Sequence, residues 1–233
     1  MRLKVIFLAA ITLLTAVQAS AQWSVGVQGG ATYNTLNTDN GYAYDRHYTS
    51  KWGATFGIPV RYDFNSWFGL QSEVSVTYKN YGIERSWAYA SNYYDFTNTY
   101  LDIPVMARFK FGSEKIYGYA LAGAYVGAWL NSHIKGAQMR YFNQAEENEA
   151  FFGGYKFDEK YKFDSRRDNR FDAGLTAGLG VQYAIDSRFG VFGEVRYCYG
   201  LTDTQKDYMR NRFPRYNNTF ALQIGVTYTF KRK

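Results

Sequence analysis

Phe220-Ala221-Leu222-Gln223-Ile224-Gly225-Val226-Thr227-Tyr228-Thr229-Phe230 alternates without a fault. Phe220, Leu222, Ile224, Val226, Tyr228 and Phe230 share one face, and Ala221, Gln223, Gly225, Thr227 and Thr229 share the other. A period of two belongs to a strand, in which successive side chains point to opposite faces of a sheet. One face is greasy and aromatic. The other is small and polar, with no charge.

The same pattern recurs upstream. Trp52, Ala54, Phe56, Ile58, Val60, Tyr62 and Phe64 alternate with Gly53, Thr55, Gly57, Arg61 and Asp63; Leu101, Ile103, Val105, Ala107, Phe109 and Phe111 alternate with Asp102, Met106, Arg108 and Lys110. Phe171 to Tyr183 repeats it with Gly174, Thr176, Gly178, Gly180 and Gln182 on the weaker face. Runs of this kind predict eight strands, near 23–33, 51–64, 67–79, 99–111, 115–130, 171–185, 189–200 and 218–230. Each is about 10 residues or longer, the length a tilted strand needs to cross a bilayer. No segment carries a helical apolar stripe over three turns.

The connections separate into two kinds. Asn65-Ser66, Gly112-Ser113-Glu114 and Asp186-Ser187-Arg188 are tight and made of turn formers. Residues 34–50, 80–98, 131–170 and 201–217 are long, and they alternate with the tight ones. All long connections therefore fall at one end of an up-and-down sheet. An even strand number with short turns at one rim and long loops at the other is the pattern of an outer-membrane barrel. A soluble barrel with an apolar interior is the competing arrangement. Its outer face would carry many Lys and Glu, whereas here the weaker face is rich in Gly, Ala, Ser and Thr. The expected fold is thus all-β: an eight-stranded antiparallel up-and-down transmembrane β-barrel. Aromatics near the strand ends, among them Trp23, Tyr62, Phe64, Trp67, Tyr117, Trp129, Tyr183 and Phe230, are expected to ring it at headgroup level.

Composition narrows the remaining classes. The 233 residues include 23 Tyr, 18 Phe and 5 Trp, too many aromatics for a disordered chain. Three prolines exclude a Pro-rich linker protein. Arg2 and Lys4, the apolar stretch Val5 to Val17 and the small residues Ala19-Ser20-Ala21 fit an export leader over 1–21, followed by the barrel domain over 22–233. Without Arg2 and Lys4 the formal charge falls from +7 to +5, a mild excess suited to anionic lipid or glycan. Dispersed basic residues on an exported chain argue against nucleic acid as a partner. Cys198 is the lone cysteine, so no internal disulfide holds the fold.

The strand motifs YLDIPVMARFKFG (Tyr100–Gly112), FDAGLTAGLGVQY (Phe171–Tyr183), FGEVRYCYGLTD (Phe192–Asp203) and FALQIGVTYTF (Phe220–Phe230) resemble, in that order, the PorT-like outer-membrane beta-barrel proteins of Bacteroidetes. LQSEVSVTYKNYG (Leu70–Gly82) is similar to that family's third strand. The resemblance covers roughly two-thirds of the chain after the leader, and it implies a barrel in the outer membrane with both termini periplasmic. It also implies, as one alternative, an accessory part in protein secretion or surface assembly. Lys231-Arg232-Lys233 departs from the pattern by extending past the terminal aromatic.

With the apolar face outward, Arg61, Asp63, Glu73, Lys79, Asp102, Arg108, Lys110, Asp172, Glu194 and Arg196 face inward. Buried charge must be paired, so an ion-pair cluster centred on Arg61, Glu73, Arg108, Glu194 and Arg196 is expected to plug and stiffen the barrel; a narrow pore is the alternative. Catalysis is not expected. His47 and His133 fall in long loops beside no Ser and carboxylate pair, Cys198 reads as a filler beside Arg196, and no ligand spacing suggests a metal. A lipid-modifying enzyme is the third alternative. No cofactor is expected, and the chain is read as a monomer in outer-membrane lipid. Specificity is placed in the loops: Tyr155, Phe157, Tyr161 and Phe163 within the repeat Tyr155-Lys156-Phe157-Asp158 and Tyr161-Lys162-Phe163-Asp164, and Tyr208, Arg212 and Tyr216. The repeat is read as a hairpin that continues the wall above the membrane. Tyr, Phe, Arg and Asn also fill Tyr208 to Asn218 and Tyr81 to Asn98, a mixture that suits a surface glycan or a protein ligand.

Overall fold

The computed structural model describes residues 22–38, 46–86, 92–139, 154–206 and 213–230. The leader expected over 1–21 lies outside the described residues. Ten strands are described: β1 (Gln22–Thr38), β2 (Arg46–Asp63), β3 (Phe68–Tyr78), β4 (Tyr81–Arg85), β5 (Tyr93–Gly112), β6 (Ile116–Met139), β7 (Gly154–Lys160), β8 (Phe171–Ala184), β9 (Phe189–Gly200) and β10 (Arg215–Thr229). Eight of them close a ring in the order β1-β2-β3-β5-β6-β8-β9-β10. The ring closes where β1 pairs antiparallel with β10, from Ser24 opposite Thr229 to Thr38 opposite Arg215. Closure leaves the ring without an edge, which is what lipid requires of a spanning sheet.

The tight connections are held by their own side chains. Asn65 Oδ1 accepts from the N–H groups of Trp67 and Phe68 at 3.0 and 2.7 Å, and Asp186 Oδ1 accepts from Arg188 and Phe189 at 2.6 and 2.8 Å. Gly112 enters the third turn at φ +123°, a conformation open to glycine alone at little strain. The β1–β2 and β3–β5 ladders skip at Pro59 and Pro104, which lack the N–H a ladder needs. Ser72 Oγ donates to the Pro104 carbonyl at 2.9 Å beside the second gap.

Outward residues are large and apolar: Leu222, Ile224 and Val226 are exposed, while Gln223 and Thr227 on the other face of the strand are buried. Near the short-turn rim the rings touch in chains. Trp23 meets Tyr62 at 4.7 Å, Tyr62 meets Phe64 at 4.9 Å, and Phe189, Tyr228 and Phe230 continue the girdle at 5.2 Å spacings.

Tyr117 and Trp129 do not join that girdle. In β6 the odd positions Tyr119, Leu121, Tyr125 and Trp129 are buried in the lumen, and Ala122, Ala124, Val126 and Ala128 face outward. The usual parity is inverted here because the lumen cations need ring faces. Lys79 Nζ lies 4.7 Å from the centroids of both Tyr100 and Tyr125, and the Arg108 guanidinium lies 4.3 Å from that of Tyr119.

The long connections are shorter than the alternation suggests, since β1, β2, β5 and β6 all run beyond their expected ends. Residues 81–85 form β4, which takes the place of β3 between β2 and β5. With only five residues, ending in Glu84 and Arg85, β4 is too short for alternation to mark it in the sequence. The upper part of β6 pairs with β7 to form the expected hairpin, but only the first copy of the repeat lies in it. The second copy leaves the sheet: Asp164 Oδ1 caps Arg166 N–H at 2.8 Å and starts a turn instead.

Candidate functional site

Charge fills the lumen in tiers. Nearest the short turns, Asp63 accepts Arg108 at 3.3 Å and Lys110 at 2.9 Å. In the middle tier Arg196 holds Glu73 through two contacts of 2.7 and 3.0 Å and donates through Nε to Glu194 at 2.9 Å. Gln28 donates to Glu73 at 2.8 Å, and Tyr119 donates to Glu194 at 3.1 Å. Higher up, Lys79 bridges Asp102 at 3.1 Å and Asp172 at 2.8 Å. An amide and hydroxyl tier follows, where Thr219 donates to Asn34 at 2.6 Å and Asn217 donates to Tyr100 at 3.2 Å.

Of the five residues expected to form one cluster, Arg196, Glu73 and Glu194 share direct contacts. Arg108 pairs with Asp63 instead. Arg61 has no carboxylate partner among the described residues: it donates to Gln71 at 2.8 Å and Gln182 at 2.7 Å, and stacks 4.2 Å from the Phe192 centroid. Between the Arg196 and Lys79 tiers a void of about 30 Å³ remains, room for roughly one or two waters. Cys198 lines it and sits 3.4 Å from Thr176 Oγ1.

Above the tiers the barrel opens into a cup of about 320 Å³. One wall is a column of rings. Trp129 is nearly parallel to both Tyr100 and Tyr161, at centroid distances of 5.8 and 5.9 Å, and Phe163 meets it edge-on at 4.9 Å. Tyr81 stacked on Phe96 at 4.7 Å adds a second pair of rings to the lining. Arg46, Arg85, Arg167 and Arg215 also line the cup, with Asp168 as its carboxylate.

The turn after β7 gives the cup its edge. Asp168 accepts from the Tyr161 hydroxyl at 2.8 Å, the Asp164 N–H at 2.8 Å and Arg167 Nε at 2.9 Å; Arg167 also donates to the Tyr161 hydroxyl. That hydrogen bond to Asp168 pushes the Arg167 guanidinium up, and burial pushes the Tyr161 phenol up. Burial likewise pushes the Tyr81 phenol up to about 12, so both rings stay neutral at physiological pH. The turn is clamped to the β9–β10 connection, where Lys206 N–H donates to the Arg167 carbonyl at 2.8 Å and Asn169 N–H to the Thr204 carbonyl at 2.9 Å.

The structure divides the expected loop surface. Tyr161 lines the cup, Phe163 supports Trp129, and Phe157 lies 5.7 Å from Tyr94 on the hairpin wall. Tyr155 pairs with Gln138 on β7, and Tyr216 is paired with Asn37 across the barrel seam. Tyr208 and Arg212 lie outside the described residues. Tyr81, Arg85, Tyr94, Phe96 and Arg215 fall in the stretches Tyr81 to Asn98 and Tyr208 to Asn218, where recognition was expected; sequence reading missed Arg46, and it missed that all of these surround one space with Tyr161, because segments far apart in the chain bring them together. His133 contacts the Asp158 carboxylate across the β6–β7 hairpin, with Lys135 3.5 Å from the same carboxylate. His47 lies in β2 opposite Glu84.

No curated protein matches the sequence. Among solved structures, OprG of Pseudomonas aeruginosa is 12% identical, with 92% of this chain and 99% of that one covered at a TM-score of 0.50. The surface protein NspA of Neisseria is 17% identical, with 91% and 99% covered at 0.47. Ail of Yersinia pestis is 18% identical, with 90% and 99% covered at 0.42. Likeness at these identities concerns the fold alone. The family model of the outer membrane protein beta-barrel domain matches residues 17–206. The chain thus belongs to that family, as an eight-stranded antiparallel barrel of the outer membrane with short periplasmic turns and long extracellular loops.

Proposed function

We propose that this protein is a non-catalytic, monomeric surface-recognition barrel that binds its ligand in the cup at the extracellular mouth. The observation that carries this reading is a cavity of ligand size, walled by rings and guanidiniums, above tiers of paired side chains that leave a void of about 30 Å³ between Arg196 and Lys79. A filled lumen favours a plug over a pore. The His133–Asp158 pair favours no enzyme, since it is exposed on the hairpin and has no hydroxyl nucleophile among its described partners. An export leader over 1–21 and a place among the PorT-like barrels of Bacteroidetes belong to the same reading, and both rest on the sequence motifs.

Outer-membrane vesicles carrying the protein, applied to immobilised surface glycans and matrix proteins, test it against vesicles carrying Tyr161→Ala with Arg85→Ala. Retention by the parent and its loss in the variant is the expected result. Equal retention of both, with the barrel folded in both, would sink the reading.

A further inference from the structure

Charge on the β6–β7 hairpin is sorted by face. Tyr94, which lines the cup, stands opposite Gly136, and Phe157 packs against it, so the face that holds Gly136 and Phe157 looks inward. Alternation turns Lys135, Lys156 and Lys160 outward, with Asp158 among them. Residues 154–170 carry six Lys or Arg against four carboxylates. Asp168 is taken by Arg167, and Asp158 by His133 and Lys135. Glu159 shares the inward face with Phe157, and Asp164 Oδ1 caps the turn. Lys156, Lys160, Lys162, Arg166 and Arg170 are left exposed, with no carboxylate in ion-pair contact among the described residues.

The surface directly below these cations meets lipid. Leu130 is 44% exposed and Phe171 55%. Arg170 is fastened at that border, where its Nε donates to the Trp129 carbonyl at 2.8 Å and its Nη2 to the Leu130 carbonyl at 3.3 Å. His133, opposite Lys160, lies three residues beyond Leu130 along β6, and Ala137, opposite Lys156, lies seven. At about 3.3 Å per residue and a tilt of about 40°, Lys160 and Lys156 stand roughly 8 and 18 Å above Leu130. The headgroup layer of a phospholipid bilayer is only about 5–8 Å deep on each side. A phospholipid phosphate therefore reaches the lower cations and not the upper ones. A headgroup built of sugars and carrying several phosphates spans both.

We infer that the outer wall of the hairpin docks a glycolipid of the outer leaflet, its phosphorylated saccharide headgroup against Arg170, Lys160 and Lys156 and its acyl chains over Leu130 and Phe171. Guanidinium forks and ammonium groups both suit phosphate oxygens, and cations beside an anionic lipid surface add to its attraction. This surface lies on the outside of the barrel, away from the cup, and does not depend on the recognition reading.

Native mass spectrometry of the full chain in detergent micelles tests it with phosphorylated lipopolysaccharide truncated at the inner core, the same lipid dephosphorylated, and phosphatidylglycerol, with inorganic phosphate as competitor. The phosphorylated glycolipid is expected to bind at least ten-fold more tightly than either other lipid and to stay bound in excess inorganic phosphate. Lys156→Gln with Lys160→Gln is expected to weaken it at least ten-fold, whereas Lys115→Gln with Arg188→Gln, at the short-turn rim, leaves it unchanged. Equal binding of the dephosphorylated form would overturn the phosphate contacts, and equal binding of phosphatidylglycerol would overturn the saccharide headgroup. Displacement by inorganic phosphate would reduce the surface to a bare anion site and overturn lipid docking. Absence of glycolipid binding, or equal binding by the folded Lys156 and Lys160 variant, overturns the whole inference.

Discussion

Arg196 is held by two carboxylates and Arg61 by none among the described residues, although both are buried in one lumen. The two should therefore respond oppositely to truncation. Arg196→Met leaves Glu73 and Glu194 facing each other without a cation, and should cost about 3–5 kcal/mol. Arg61→Met removes a cation held only by neutral amides and ring faces, and should cost less than about 1 kcal/mol or stabilise. Urea titration in lipid vesicles, followed by tryptophan fluorescence, ranks the two, and equal losses would contradict the pairing described. Trp129 poses a different case, for it sits between Tyr100 and Tyr161 with Phe163 at its edge. Trp129→Ala should cost about 3–5 kcal/mol and merge the cup with the lumen. The same titration, together with greater labelling of Cys198 by a small thiol reagent, checks it.

At the scale of elements, the β6–β7 hairpin rises above the membrane with few buried contacts of its own. Asp158 binds His133 and Lys135 there, and the hydrogen bond from His133 holds its carboxyl below the usual carboxylate range. A depressed folded pKa makes the contribution of Asp158 complete above the ordinary carboxylate value of about 4, and lost as pH falls below it. Amide exchange at Lys156 to Glu159 should therefore accelerate relative to the membrane strands once pH drops below about 4, and Asp158→Asn should remove that pH step. The turn at 161–170 should not follow, because it is tied to the β9–β10 connection through Lys206, Asn169 and Asp168. Identical tetrapeptides thus have two fates. Which copy of Tyr-Lys-Phe-Asp becomes strand depends on whether the upper edge of β6 is still unpaired where the chain reaches it.

For the whole molecule, five cations and five carboxylates share a lumen that eight strands leave just wide enough to fill with side chains. Glu73→Ala removes one carboxylate but shortens the side chain by too little to join the tiers into a channel. The expected result is a lower unfolding midpoint with no rise in planar-bilayer current above that of the parent, and a steady ohmic step would show that the plug does not seal. Much of this was legible in the chain. Alternation over Phe220 to Phe230 and its copies set the strands, the turn formers Asn65, Gly112 and Asp186 set the rim, and the apolar face set the lipid side, since each is a local property of consecutive residues. The sequence also placed all ten ionised groups inward, because parity alone decides the face of a residue in a regular strand. It could not choose partners among them. Whether Glu73 meets Arg196 or Arg61 depends on the stagger between β3 and β9, strands on separate parts of the ring, and the inverted parity of β6 follows from cations that other strands supply. Tertiary structure alone assembled the cup: Arg46, Tyr81, Trp129, Tyr161 and Arg215 come from five separate stretches, and only closure of the barrel brings their side chains around one space.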